Sequence, residues 1–137
     1  MKVQLLDPNA KPPVRKTEGA GGYDIYTTES VQLWLADMHP FKTGIAVEIP
    51  QGWVGLIKPR SGLAMARADT LAGVVDSDYR GELKILLINH SEDMLRIEKG
   101  ERIAQLVIAP VVRAEFHPVD TLDETTRGEG GFGSTAA

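Results

Sequence analysis

The chain contains no cysteine. That excludes disulfide frameworks and every metal site built on thiolates. It has no apolar run near the roughly 20 residues that a membrane-spanning helix needs. Its first segment, MKVQLLDPNAKPP, lacks the apolar h-region of a secretory signal. An excess of positive charge is also missing: 15 Lys and Arg stand against 19 Asp and Glu, for a formal net charge of −4. A broad nucleic-acid surface is built from cations that neutralise phosphates, so direct nucleic-acid binding is not expected. There is no internal repeat, no linker and no G-K-[ST] phosphate loop. These absences lead to the expectation of a soluble, cytoplasmic protein that does not engage membranes. Any polyanion it binds must meet a local cluster of cations and backbone donors.

What is present is an ordinary globular balance, 42% hydrophobic and 25% charged over 137 residues, the length of one domain. Residues 45–49, IAVEI, alternate apolar and polar until Pro50 closes the run. ELKILLIN (82–89) and IAQLVIA (103–109) are rich in branched apolar residues, and VQLWL (31–35) and WVGLI (53–57) are further short strands. Turn signals fall at Pro40, Pro50–Gly52, Gly81 and Gly100. Many short strands at close spacing predict an all-β sandwich or barrel. A single short helix is expected over 61–68, with Ser61 near its N-cap. The globular composition holds over 1–124 and breaks over 125–137, which includes RGEGGFGSTAA. That segment is either an ordinary loose terminus or a flexible arm whose backbone N–H groups wrap an anion.

Several polar stretches carry chemistry, and each has a plainer alternative. AGGYDIY (20–26) places Asp24 where a glycine-rich turn enters a strand. PRSGLA (59–64) offers Arg60, the Ser61 hydroxyl and a run of backbone donors at a helix start, which favours negative charge; Ser61 as a simple cap explains the same residue. GVVDSDYRGE (73–82) sets Asp76 and Asp78 around a tight turn, where they either act or only shape the turn. Arg80 and Arg102 are surface charges or structural ion pairs. Gln105, in ERIAQL (101–106), acts in a site or satisfies backbone groups.

AGGYDIY, PRSGLA, GVVDSDYRGE, GERIAQL and RGEGGFGST occur in this order, and together they closely resemble the five motifs of the trimeric deoxyuridine triphosphatases, from about residue 19 to residue 135. The resemblance implies a jelly-roll-like β-barrel with one short helix and a flexible glycine-rich C-terminal arm. It implies hydrolysis of dUTP to dUMP and pyrophosphate with Mg²⁺, which keeps uracil out of DNA and supplies dUMP for thymidylate synthesis. It also implies a homotrimer with shared active sites, each closed by the arm of one subunit.

Residue roles follow from the same resemblance. Asp76 matches the carboxylate that orients and deprotonates the attacking water, and a water nucleophile does need a base within hydrogen-bond reach. Gln105 matches the glutamine near the phosphates and that water. Arg60, Ser61 and Gly62 match the phosphate-binding stretch, and Asp24 matches the aspartate that holds magnesium through coordinated water. Gly73, Val74 and Val75 match the hairpin that reads uracil through its main chain. Tyr79 matches the tyrosine beneath the deoxyribose, whose ring leaves no room for a 2′-hydroxyl. In the arm, Arg127 matches the arginine that neutralises the terminal phosphate, Phe132 the aromatic that stacks on uracil, and Gly131, Gly133, Ser134 and Thr135 the surrounding donors and close-approach positions. Lys84 falls where several members contact substrate; a solvated strand lysine is the alternative.

Two departures from the family pattern bear on base selectivity. Only eight residues, MARADTLA, separate PRSGLA from GVVD. Thr70 stands where many members carry a uracil-reading asparagine. Two other readings use the same fold: a dCTP deaminase, whose deaminating glutamate has no clear match here, and a binding or regulatory module with a protein partner.

Overall fold

The computed structural model describes residues 1–131. Within them the chain is almost wholly β, as expected. In chain order the elements are β1 (Lys2–Leu5), β2 (Tyr23–Tyr26), β3 (Val31–Leu33), β4 (Met38–Lys42), β5 (Ile45–Glu48), β6 (Trp53–Lys58), α1 (Ser61–Met65), β7 (Ala68–Leu71), β8 (Val74–Val75), β9 (Lys84–Asn89), β10 (Leu95–Ile97) and β11 (Arg102–Pro110). No helix among the described residues is long and apolar enough to cross a membrane.

The strands pair antiparallel in small sheets, ordered β2-β11-β6-β8, β4-β9-β7, β1-β5 and β10-β3. Every strand except β1 sends side chains into one core, including Ile25, Phe41, Ile57, Ile85, Ile103 and Leu106. β9 shows why: Ile85, Leu87 and Asn89 are buried while Lys84, Leu86 and Ile88 lie outward, the period-two pattern of a half-buried strand. The inward Asn89 is satisfied, donating to the Leu33 and Asp93 carbonyls and accepting from Ser91 N–H.

Two local expectations need correction. Pro40 does not end a strand but lies inside β4, opposite Leu86. β4 is the outer strand of its sheet, so the missing N–H interrupts no second ladder. The helix over 61–68 stops at Met65, because Arg67 turns left-handed (φ 58°) and Ala68–Leu71 pair with β9. The last strand closes at Pro110, and residues 111–129 are exposed, without helix or strand.

Candidate active site

The central strand β6 has functional residues on both flanks. On one side it pairs with β11, Lys58 opposite Gln105, and β11 in turn places Gln105 opposite Asp24 of β2. On the other it pairs with β8, Gly55 opposite Val75 and Leu56 opposite Val74. The candidate residues therefore fall into two clusters.

The first cluster is cationic around one buried carboxylate. Arg102 Nη1 donates to Asp24 Oδ2 at 3.0 Å, and Arg60 Nε lies 3.4 Å from Asp24 Oδ1. Arg60 Nη1 also donates to the Arg102 carbonyl at 3.1 Å. Burial pushes the Asp24 carboxyl up, but the Arg102 hydrogen bond, the charges of Arg102 and Arg60 and a bond from Gln105 outweigh it and hold the group below the usual carboxylate range. Two guanidinium groups against one carboxylate leave the cluster net positive. Gly22 makes room beside it: a Cβ there would lie 3.2 Å from that of Gln105.

Arg60 is the N-cap of α1, in extended conformation and without a side-chain cap bond. Ser61 is thus the first helical residue and not the cap, so its exposed hydroxyl is not used up by capping. The first-turn N–H groups have no acceptor within the helix. Arg60, Gly62 and Arg102 line a cavity of about 330 Å³.

The second cluster gathers Val74, Val75, Asp76, Tyr79 and Lys84 around a cavity of about 260 Å³. Gly73, just before Val74, does not line that cavity but holds the chain leading into it against β6. Its carbonyl accepts Ile57 N–H at 2.7 Å, and a Cβ at Gly73 would stand 2.8 Å from the Ile57 carbonyl oxygen. Only glycine allows that approach. Ala72, just before it, is held left-handed at φ 52°, a strained state for a residue with a side chain. Asp76 opens a turn closed by Tyr79 N–H onto its carbonyl at 3.2 Å, and its carboxylate is exposed. Arg80 Nη1 braces that turn through the carbonyls of Ser77 (2.8 Å) and Tyr79 (2.9 Å). The Tyr79 ring, 47% exposed, packs over Gly81, and its hydroxyl donates to the Glu82 carbonyl at 3.0 Å.

The remaining candidates stand apart. Thr70 is in β7 opposite Leu87 and does not line the second cavity. Arg127 donates from Nε to the Gly130 carbonyl at 2.8 Å, within a turn of its own segment, and Gly131 follows that turn. Phe132, Gly133, Ser134 and Thr135 lie outside the described residues. Arg102 was legible only as one of two alternatives, and the structure selects the ion pair. Glu82 gave no signal in the sequence, although it lines the second cavity.

The chemistry available is anion binding in the first cluster and water activation by an exposed carboxylate in the second. Among the described residues no group of three or more His, Asp or Glu could cage a metal. Mg²⁺ usually keeps waters and takes one or two carboxylates with phosphate oxygens, whereas both Asp24 carboxylate oxygens here face Arg60 and Arg102, so Asp24 is not free to be a direct ligand.

A family model described as dUTPase matches residues 8–136. A deoxyuridine 5'-triphosphate nucleotidohydrolase from Nautilia profundicola is 47% identical over 138 residues, spanning 98% of this chain and 97% of that protein. The Staphylococcus bacteriophage 80alpha dUTPase with dUPNHPP is 36% identical with a TM-score of 0.92, covering 99% of this chain and 98% of the other. A mutant dUTPase from phage phi11 of S. aureus, described for its coordination of a structural Mg(II) ion, is 30% identical with a TM-score of 0.81, covering 88% and 96%.

Proposed function

The chain belongs to the dUTPase family, and from that premise we infer that it is a dUTP diphosphatase with the family's jelly-roll-like barrel, converting dUTP to dUMP and pyrophosphate. The observation that carries the mechanism is the division of the site. One chain holds its anion-binding cluster and its base-and-sugar pocket on opposite flanks of β6, with different lining residues. A complete site is then assembled from the first cluster of one subunit and the second of another, in a trimer. The exposed apolar residues of the C-terminal segment support this reading. Val112, Phe116 and Leu122 are 89%, 95% and 87% exposed on their own barrel, a pattern that marks a surface awaiting a partner.

In that site Asp76 takes the proton of the water attacking the α-phosphorus, a role that suits an exposed carboxylate on a braced turn. Gln105 orients the water and phosphate. Arg60, Ser61 and the Gly62 amide meet phosphate charge with donors fixed before the reaction begins. Arg102 contributes by holding Asp24 and, through its carbonyl, Arg60. Asp24 would hold Mg²⁺ through coordinated water, and the ion would supply charge neutralisation at the phosphates. The main chain of Gly73, Val74 and Val75 reads uracil, Tyr79 lies under the deoxyribose, and Lys84 stands at the pocket rim. The segment carrying Arg127 closes over the substrate from a neighbouring subunit.

Pyrophosphate release should be fast with dUTP and slow with dTTP, dCTP and UTP. Equal turnover of dUTP and dTTP, or ammonia released from dCTP, would replace this reading with another.

A further inference from the structure

Among the described residues the half-exposed Tyr79 side chain has one hydrogen bond, from its hydroxyl to the Glu82 carbonyl at 3.0 Å. The position of that carbonyl is set elsewhere. The Glu82 carboxylate, half-buried, accepts the Gly44 N–H at 2.9 Å. Gly44 is itself wedged: it is left-handed at φ +66°, and a Cβ there would lie 2.7 Å from Asp7 Cβ and 2.9 Å from Ala10 Cβ. Its carbonyl accepts Leu6 N–H at 2.7 Å. One residue further along, Leu83 N–H donates to the Ile45 carbonyl at 2.8 Å, and the Thr43 hydroxyl donates to the Leu83 carbonyl. The β4–β5 turn therefore holds the segment after Tyr79, and the Glu82 carboxylate is the side-chain tie between that segment and the turn.

We propose that Glu82 is a positioning residue for sugar selection: by fastening its own backbone to Gly44, it fixes the carbonyl that holds the Tyr79 ring in place beneath the deoxyribose. The proposal rests on the reading of Tyr79 given above. The Leu83 bonds do not involve the Glu82 side chain, so the barrel survives its loss while residue 82 gains freedom. A ring free to shift no longer fills the space of a 2′-hydroxyl, and UTP becomes a better substrate relative to dUTP.

The test compares kcat/KM for dUTP and UTP in the full-length protein carrying Glu82→Ala, Glu82→Gln, Tyr79→Phe or Tyr79→Ala. Glu82→Ala should lower the dUTP/UTP ratio about three- to tenfold, the scale of one net hydrogen bond. Glu82→Gln should restore it, because the amide oxygen accepts the same N–H. Tyr79→Phe, which cuts the same link at its other end, should match Glu82→Ala and carries the test if that variant fails to fold. Tyr79→Ala should give the largest loss. A collapsed ratio in Tyr79→Ala with an unchanged one in Glu82→Ala and Tyr79→Phe would overturn the positioning role alone. So would a Glu82→Gln variant as defective as Glu82→Ala. An unchanged ratio in Tyr79→Ala would overturn the sugar-selecting role of Tyr79, and this proposal with it.

Discussion

Arg102 and Asp24 are 78 residues apart in sequence and meet at 3.0 Å across the β2–β11 ladder. Arg102 borders a bulge, where pairing shifts between Arg102 and Ala104. The bulge re-aims the strand so that Arg102 and Gln105 both reach the same carboxylate. Arg60 joins from the end of β6, so one buried aspartate ties together three segments of the phosphate-binding half.

Acid should therefore weaken the protein through Asp24. Its folded carboxyl titrates below its unfolded value of about 3.9, so its contribution is complete above that pH and is lost as pH falls below about 4. Asp24→Asn should cost about 1–3 kcal/mol at neutral pH. Urea midpoints of the two proteins, followed from pH 7 to about pH 3, should converge on acidification. A gap that stays constant with pH would show that the carboxylate charge contributes nothing.

Asp76→Asn should leave the fold and dUTP binding intact, because its side chain is exposed and the turn it opens uses only its carbonyl. The loss of a general base lowers kcat by about 10²–10⁴-fold. Single-turnover hydrolysis at the parental rate would remove Asp76 from that role.

Gly73→Ala should damage the pocket more than the barrel. The new Cβ meets a backbone oxygen at 2.8 Å, which cannot swing aside as a side-chain end can. A rise in KM for dUTP of about tenfold or more, with a melting temperature lowered by only a few degrees, is the expected result. An unaltered KM would mean that the Gly73–Ile57 approach does not shape the base site.

Truncation after Thr126 should leave a stable oligomer of normal melting temperature. Arg127 and Gly128 hydrogen-bond within their own turn. Activity should fall sharply, because the segment's proposed work is to close over the phosphates in the bound state. Undiminished kcat/KM in the truncated protein would rule out a lid.

The sequence made the apolar strands legible, the three-residue β3 within VQLWL included, and left the rest unread. β5, β6, β9 and β11 announce themselves by alternation or by branched apolar runs. β1, β4, β7, β8 and β10 owe their existence to partners. Ala68–Leu71 follows a helical start and is polar at Asp69 and Thr70, yet β9 offers it a ladder that outweighs local propensity. The second cluster was readable because GVVDSDYRGE delivers most of it from one continuous stretch. Its supports were not: the Gly44–Glu82 bond spans 38 residues and the Asp24–Arg102 bond 78, and neither spacing leaves a periodic mark. Thr70 shows the converse, a residue placed by its offset from Gly73 that the register of β7 holds away from the pocket.

The division of the site between subunits is tested most directly by mixing two dead chains. Arg60→Ala disables the first cluster and Asp76→Asn the second, and each homo-oligomer should be inactive on dUTP. Co-expressed with different tags and purified through both, they should form only mixed trimers, and in either mixed composition the cyclic arrangement leaves about a third of the shared sites with both halves intact. Pyrophosphate release should return at a corresponding fraction of the parental rate. If each chain carried a complete site of its own, the mixed oligomers would be as inactive as their parents, and that result would contradict the account.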